Sequence, residues 1–283
     1  MSPQLIALAS ALSYAFCIIS ARLGLRYSNG TTVTFVSLLV HTSVLWPIVF
    51  LRGIPSVASV AVVLFLVAGS LQPAIRLFSY TGIAKIGAAR SYALRASAPL
   101  FSAVIAVLVL GEKTTLPIAA GTLAIVGGIF LTSWDSSGKR VRWLDLALPV
   151  FAALLAGIAQ PIRRHALGIA NEPLFFAAIV GAISLVWYVI YLALPSTERP
   201  VWNRRSLVPF ISAGLFETLG IWLSISALSE GTVVVVTPLL STSPVWVLLI
   251  SAIFLRHLER VTWQIVVGTL GVVAGTIIIA LGR

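Results

Sequence analysis

The chain is 283 residues long, 59% hydrophobic, 10% charged and formally +11 at neutral pH. A water-soluble domain of that length needs far more wettable positions, so a soluble enzyme or binding module is excluded. The apolar runs are continuous rather than alternating, which excludes a membrane β-barrel, and the one cysteine, Cys17, excludes an intrachain disulfide.

A helix needs about 20 apolar residues to cross a bilayer. On that basis the chain divides into ten predicted spans, over 3–21, 32–51, 57–80, 88–110, 115–134, 144–163, 173–194, 206–227, 232–255 and 262–281. The fold class is therefore all-α, a polytopic membrane protein. The opening MSPQLIALAS has no basic start, so no cleavable signal peptide is expected and the first span serves as its own insertion signal. Turn formers and charges separate the spans, at SNG (28–30), RGIPS (52–56), DSSGKR (135–140) and PSTERP (195–200). Pro47, Pro73, Pro99, Pro161, Pro238 and Pro244 fall within spans, where each removes a backbone donor and can bend its helix.

The second half repeats the first. Gly121-Thr122-Leu123 with Val126 and Gly128 answers Gly268-Thr269-Leu270 with Val273 and Gly275. Nine residues ahead of each stands an acid followed by a base, Glu112-Lys113 and Glu259-Arg260. Pro99 answers Pro244, and Gly87 answers Gly231 with a small slip. Residues 1–138 and 139–283 thus read as two five-span repeats, and an odd span number inverts the second relative to the first. Inverted repeats place a site at their interface near the midplane and permit alternating access. The glycines of the fifth and tenth spans permit close helix approach, for internal packing first and a homodimer second.

The basic residues divide unevenly between the two sides. The side of the termini carries Arg52, Lys113, Arg163, Arg164 and Arg283, five in all; the other side carries the remaining twelve loop cations. That bias serves topology against anionic lipid, not nucleic acid, and predicts both termini outside the cytoplasm.

Catalysis has no constellation. A membrane aspartyl protease needs paired acids and a zinc protease needs two histidines a turn apart with a glutamate. Here only Glu217 lies mid-span among the acids, and His41, His165 and His257 are scattered. The chain is expected to be no enzyme and to need no cofactor or metal.

Binding is better provided for. Gln72, Arg76 and Tyr80 recur at i, i+4 and i+8 on the third span, one helical face. Ser91 and Arg95 share a face of the fourth, Glu217 and Ser224 one of the eighth, and Thr237 and Ser241 one of the ninth. Ser10, Tyr14 and Cys17 form a softer polar stripe, as do Ser37 and His41. Trp222 and Trp246 lie deep enough to line a cavity or to face lipid. A charged side chain at the centre of a bilayer costs about 2.5–3.5 kcal/mol on insertion scales, so Arg76 and Arg95 are expected to face a wet cavity. The structural alternatives are that Arg76 snorkels to the interface, that Arg95 pairs with Glu217 for packing, and that the hydroxyls and His41 bond neighbouring backbone. One glutamate against two arginines leaves a positive surplus suited to a carboxylate or phosphate.

Pro99-Leu100-Phe101-Ser102, Leu110-Gly111-Glu112-Lys113, Gly121 and Val126-Gly127-Gly128 resemble the EamA family of the drug/metabolite transporter superfamily, and Ser243-Pro244-Val245 through Glu259-Arg260 to Gly275 resembles the same module again. Arg256-His257-Leu258 departs from the Gly-Glu pair expected before the second loop. The resemblance implies ten helices in inverted repeat, a central cavity, carriage of small organic solutes, often outward, and both termini cytoplasmic, against the charge count. The expected function is a secondary transporter, an exporter of an amino acid or other anionic or zwitterionic metabolite, in a bacterial inner membrane. Its expected partners are the solute, the bilayer and a coupling proton at Glu217. A flippase for a lipid-linked sugar is the alternative.

Overall fold

Long apolar runs without breakers satisfy their own backbone only as helices in lipid, and helices are what the computed structural model contains. It describes residues 2–98, 100–101, 104, 116–133, 142–195, 197–230, 236, 239–255, 257–258 and 261–281, apart from the side chains of 118, 133, 164 and 228. Ten helices have described bounds: α1 (Pro3–Gly24), α2 (Gly30–Arg52), α3 (Ser59–Ile86), α4 (Ala88–Arg95), α5 (Leu116–Ser133), α6 (Trp143–Ile169), α7 (Pro173–Ala193), α8 (Arg204–Glu230), α9 (Ser243–Phe254) and α10 (Trp263–Leu281). Seven of them are long and apolar enough to cross a membrane. The fold is all-α, and the chain is an integral multi-pass membrane protein.

The helix ends follow local chemistry. Asn29 caps α2, its side chain accepting from Thr32 N at 3.1 Å. Gly87, at φ 89°, turns α3 directly into α4, a backbone conformation that costs glycine little. Arg22 donates to the Ile83 and Ala84 carbonyls at 3.1 Å, satisfying acceptors in the last turn of α3.

Four predicted spans change. The third runs on to Ile86 and the sixth to Ile169, so Arg163 lies inside a helix rather than in a loop. The fourth is not continuous. Helix α4 stops at Arg95, 96–97 form a turn, and the chain is helical again at 98. The ninth is likewise interrupted by a turn at 241–242, and Pro244 opens α9 instead of bending it. The two interruptions are built alike. Ser97 Oγ donates to Leu94 O and Thr242 Oγ1 to Leu239 O, both at 2.7 Å; Leu100 N donates to Ser97 O and Val245 N to Thr242 O, both at 2.9 Å. Each break lies two residues ahead of a proline, which has no amide hydrogen to continue the ladder and disfavours helix before it. The Glu112-Lys113, Glu259-Arg260, Gly231, Thr237 and Pro238 features lie outside the described residues.

The packing follows the inverted repeat. The most extensive interfaces are α1 on α8 and α3 on α6, with α5 on α10; α2 meets α8 as α3 meets α7. Glycines let α5 and α10 approach. A Cβ on Gly128 would stand 2.6 Å from Gly268 O, and one on Gly121 2.7 Å from Gly275 O. The burial pattern is inverted relative to a soluble protein. Val60, Val63 and Val67 of α3 are exposed, while Arg76 of the same helix is 3% exposed and His41 of α2 is fully buried. Apolar side chains thus face the lipid side and polar ones face inward.

Candidate functional site

The site grows from the polar face of α3. Gln72, Arg76 and Tyr80 are all buried, and between them they reach four partner helices. Arg76 Nη1 forms an ion pair with Glu217 Oε2 of α8 at 3.0 Å and donates to Ser37 Oγ of α2 at 3.0 Å. Tyr80 donates its hydroxyl to the same Glu217 oxygen at 2.8 Å, and Cys17 Sγ of α1 lies 3.5 Å from that hydroxyl. Gln72 Oε1 accepts from Arg163 Nη2 of α6 at 2.8 Å. One stripe of three residues therefore ties α1, α2, α6 and α8 together. Burying two charges is costly unless geometry and extra hydrogen bonds compensate; the shared Glu217 oxygen receives two donors, one of them charged.

The stripe on α1 belongs to the same centre. Ser10 Oγ donates to Gly220 O at 2.8 Å. The Tyr14 ring lies over Gly220, where a Cβ would stand 3.3 Å from three ring carbons, and its hydroxyl lies near Ser224. Gly220 thus opens the space that Tyr14 fills.

Arg95 ends α4, where the last carbonyls of the helix favour a cation. It lies within Coulombic range of Glu217 and near Tyr14 and Tyr92, and Tyr92 in turn lies near Ser243 beyond the other break. Arg163 in turn lies within Coulombic range of Tyr14, Arg95 and Arg76. Among the described residues, neither Arg95 nor Arg163 has a carboxylate at ion-pair distance. Both are half-buried with protein around them, as are Tyr14 and Tyr92.

Of the residues anticipated from sequence, Arg76, Glu217, Gln72, Tyr80, Tyr14 and Arg95 come together. His41 is adjacent but committed. Its Nε2 donates to Ala177 O at 3.1 Å and its Nδ1 lies 3.2 Å from Thr218 Oγ1, which itself donates to Gly214 O at 2.7 Å. A carbonyl can only accept, so Nε2 carries the hydrogen. Ser241 is half-buried in the turn before α9. Trp222 is 36% exposed and, five residues from Glu217, points away from the cluster side of α8. Arg163 is not among the sequence candidates because a pair of arginines suits the end of a span. The available signal was the want of any turn former between Arg163 and Gly168.

A polytopic helical bundle with a charged, accessible centre between inverted halves is the architecture of a membrane transporter. Comparison with known proteins agrees. The EamA-like transporter family matches residues 1–134 and again 143–281, and the chain belongs to that family. It is 26% identical over 282 residues to a protein of Archaeoglobus fulgidus described as an uncharacterized transporter, covering 98% of this chain and 97% of the other. A crystal structure titled only as that of a protein is similar with a TM-score of 0.65 at 14% identity, over 98% of this chain and 95% of that one, a likeness of fold alone.

Proposed function

We propose that this transporter carries a small organic anion or zwitterion, outward, by alternating access of the 1–138 and 139–283 halves around the Arg76–Glu217 centre, in a bacterial inner membrane. One observation carries the reading: Arg95 and Arg163 are half-buried inside the bundle with no carboxylate at ion-pair distance among the described residues. Uncompensated guanidinium groups in a low-dielectric bundle attract the acidic group of a solute, and their planar forks match carboxylate and phosphate. Glu217 is the counter-charge of the empty site and the proton acceptor during the cycle. Tyr14, Tyr80 and Gln72 supply hydroxyl and amide partners.

A flippase reading would draw on the apolar groove of about 400 Å³ between α2 and α8, walled by Phe35, Leu39, Val40, Trp202, Ile211 and Leu215 among others. None of its lining residues belongs to the charged cluster, so the solute-carrier reading is preferred.

The test is transport by purified protein in liposomes, with labelled organic acids and amino acids inside. Arg95→Ala should abolish efflux while inserting and folding normally. Full efflux by that variant removes the proposed role.

A further inference from the structure

We infer that the solute is a dianion, its two negative charges divided between Arg95 and Arg163; this rests on the carrier reading above and narrows it. The inference comes from charge balance. The cluster holds three guanidinium groups, Arg76, Arg95 and Arg163, and one carboxylate, Glu217, which is spent on Arg76. The other described acids are elsewhere: Asp145 pairs with Lys85 at 2.9 Å, and Glu172, Glu198 and Glu230 are exposed. Glu112, Asp135 and Glu259 complete the eight acids of the sequence; they fall in segments read as loops and outside the described residues. Two positive charges are therefore left over in the described cluster.

A zwitterion adds no net charge and leaves both. A monoanion neutralises one and leaves the other buried among like charges, since Arg163 is within Coulombic range of both Arg76 and Arg95. A dianion balances the site. The placement of the cations fits this. Arg163 is held by Gln72 Oε1, Arg95 stands at the end of α4, and α4 packs directly on α6. Arg95 belongs to the first repeat and Arg163 to the second, so a molecule holding both bridges the halves. Dicarboxylates and phosphate monoesters share the required chemistry.

The test uses the full chain in lipid nanodiscs and measures Kd for succinate and glutarate, their half-amides, ethyl phosphate and alanine. At least one dianion should bind about tenfold or more tighter than a half-amide or alanine. Arg163→Gln and Arg95→Gln should each bring that preference down to within about threefold, and Arg163→Lys, which keeps the charge, should keep most of it. A preference for the diacids or for ethyl phosphate supports the inference either way and assigns the head group. Equal binding of glutarate, its half-amide and alanine by the unmodified protein overturns the dianion while leaving the carrier reading standing. Absence of any acid binding or transport overturns both. The preference in the unmodified protein decides the matter even if a variant fails to fold.

Discussion

Arg76 and Glu217 face each other across the interface of α3 and α8 at 3.0 Å, and Glu217 uses the same oxygen to accept from Tyr80 at 2.8 Å. Both side chains are at least nine-tenths buried. Removing either partner leaves a buried charge without its counter-charge, at a cost of about 3–5 kcal/mol. Arg76→Ala and Glu217→Ala should each lower the melting temperature sharply. The double variant Arg76→Met, Glu217→Leu, which removes both charges, should recover most of that loss yet fail to transport. Thermal unfolding in detergent beside liposome efflux separates the effects. A double variant that transports normally would show the pair to be packing alone.

His41 fastens α2 to α7 through Ala177 O, with Thr218 Oγ1 of α8 3.2 Å from its Nδ1, and Gly181 leaves room for its ring. It is fully buried. His41→Leu removes the donor to Ala177 O, and the loss of a buried polar partner costs about 1–3 kcal/mol. We expect a lower melting temperature with solute affinity within about twofold of the unmodified protein. A tenfold loss of affinity in folded protein would instead make His41 a contact of the solute.

These two residues also mark what was legible in the sequence. The i, i+4, i+8 stripe of Gln72, Arg76 and Tyr80 was readable because helical periodicity alone puts those positions on one face. Glu217 stood out as the one mid-span acid. Arg163 is hidden in the sequence because an arginine ends a hydropathy window but not a helix, and α6 continues through it. Trp222 could not be placed because an indole suits lipid or cavity equally, and only the rotation of α8 decides. The breaks at 96–97 and 241–242 escaped for a related reason. Side-chain hydropathy is continuous across them, and the prolines beyond them were read as bends within unbroken spans.

Gly127 and Gly128 offer an internally controlled test of the α5–α10 seam. A Cβ at Gly128 meets Gly268 O at 2.6 Å and Val272 N at 2.7 Å, both rigid backbone. A Cβ at Gly127 meets nothing within 4 Å. Gly128→Val should separate the helices and lower the yield of folded protein several-fold, since small residues are what permit such approach. Gly127→Val should be tolerated with little change. Size-exclusion yield and melting temperature read both, and equal behaviour of the two variants would mean the seam is not where the glycines place it.

The last expectation concerns sidedness. With Arg163 drawn into the bundle by Gln72, the cations on the side of the termini fall to Arg52, Lys113, Arg164 and Arg283, four against twelve. The orientation rule counts lysine and arginine near span ends rather than net charge, so the Lys85–Asp145 pair does not offset the bias. The richer side should be cytoplasmic and the C-terminus outside. A C-terminal alkaline phosphatase fusion should then be active and a C-terminal fluorescent protein dark. The reverse pattern would mean that something other than these loop cations, such as the order in which the halves insert, governs orientation, and would agree with the cytoplasmic termini that the EamA resemblance implies.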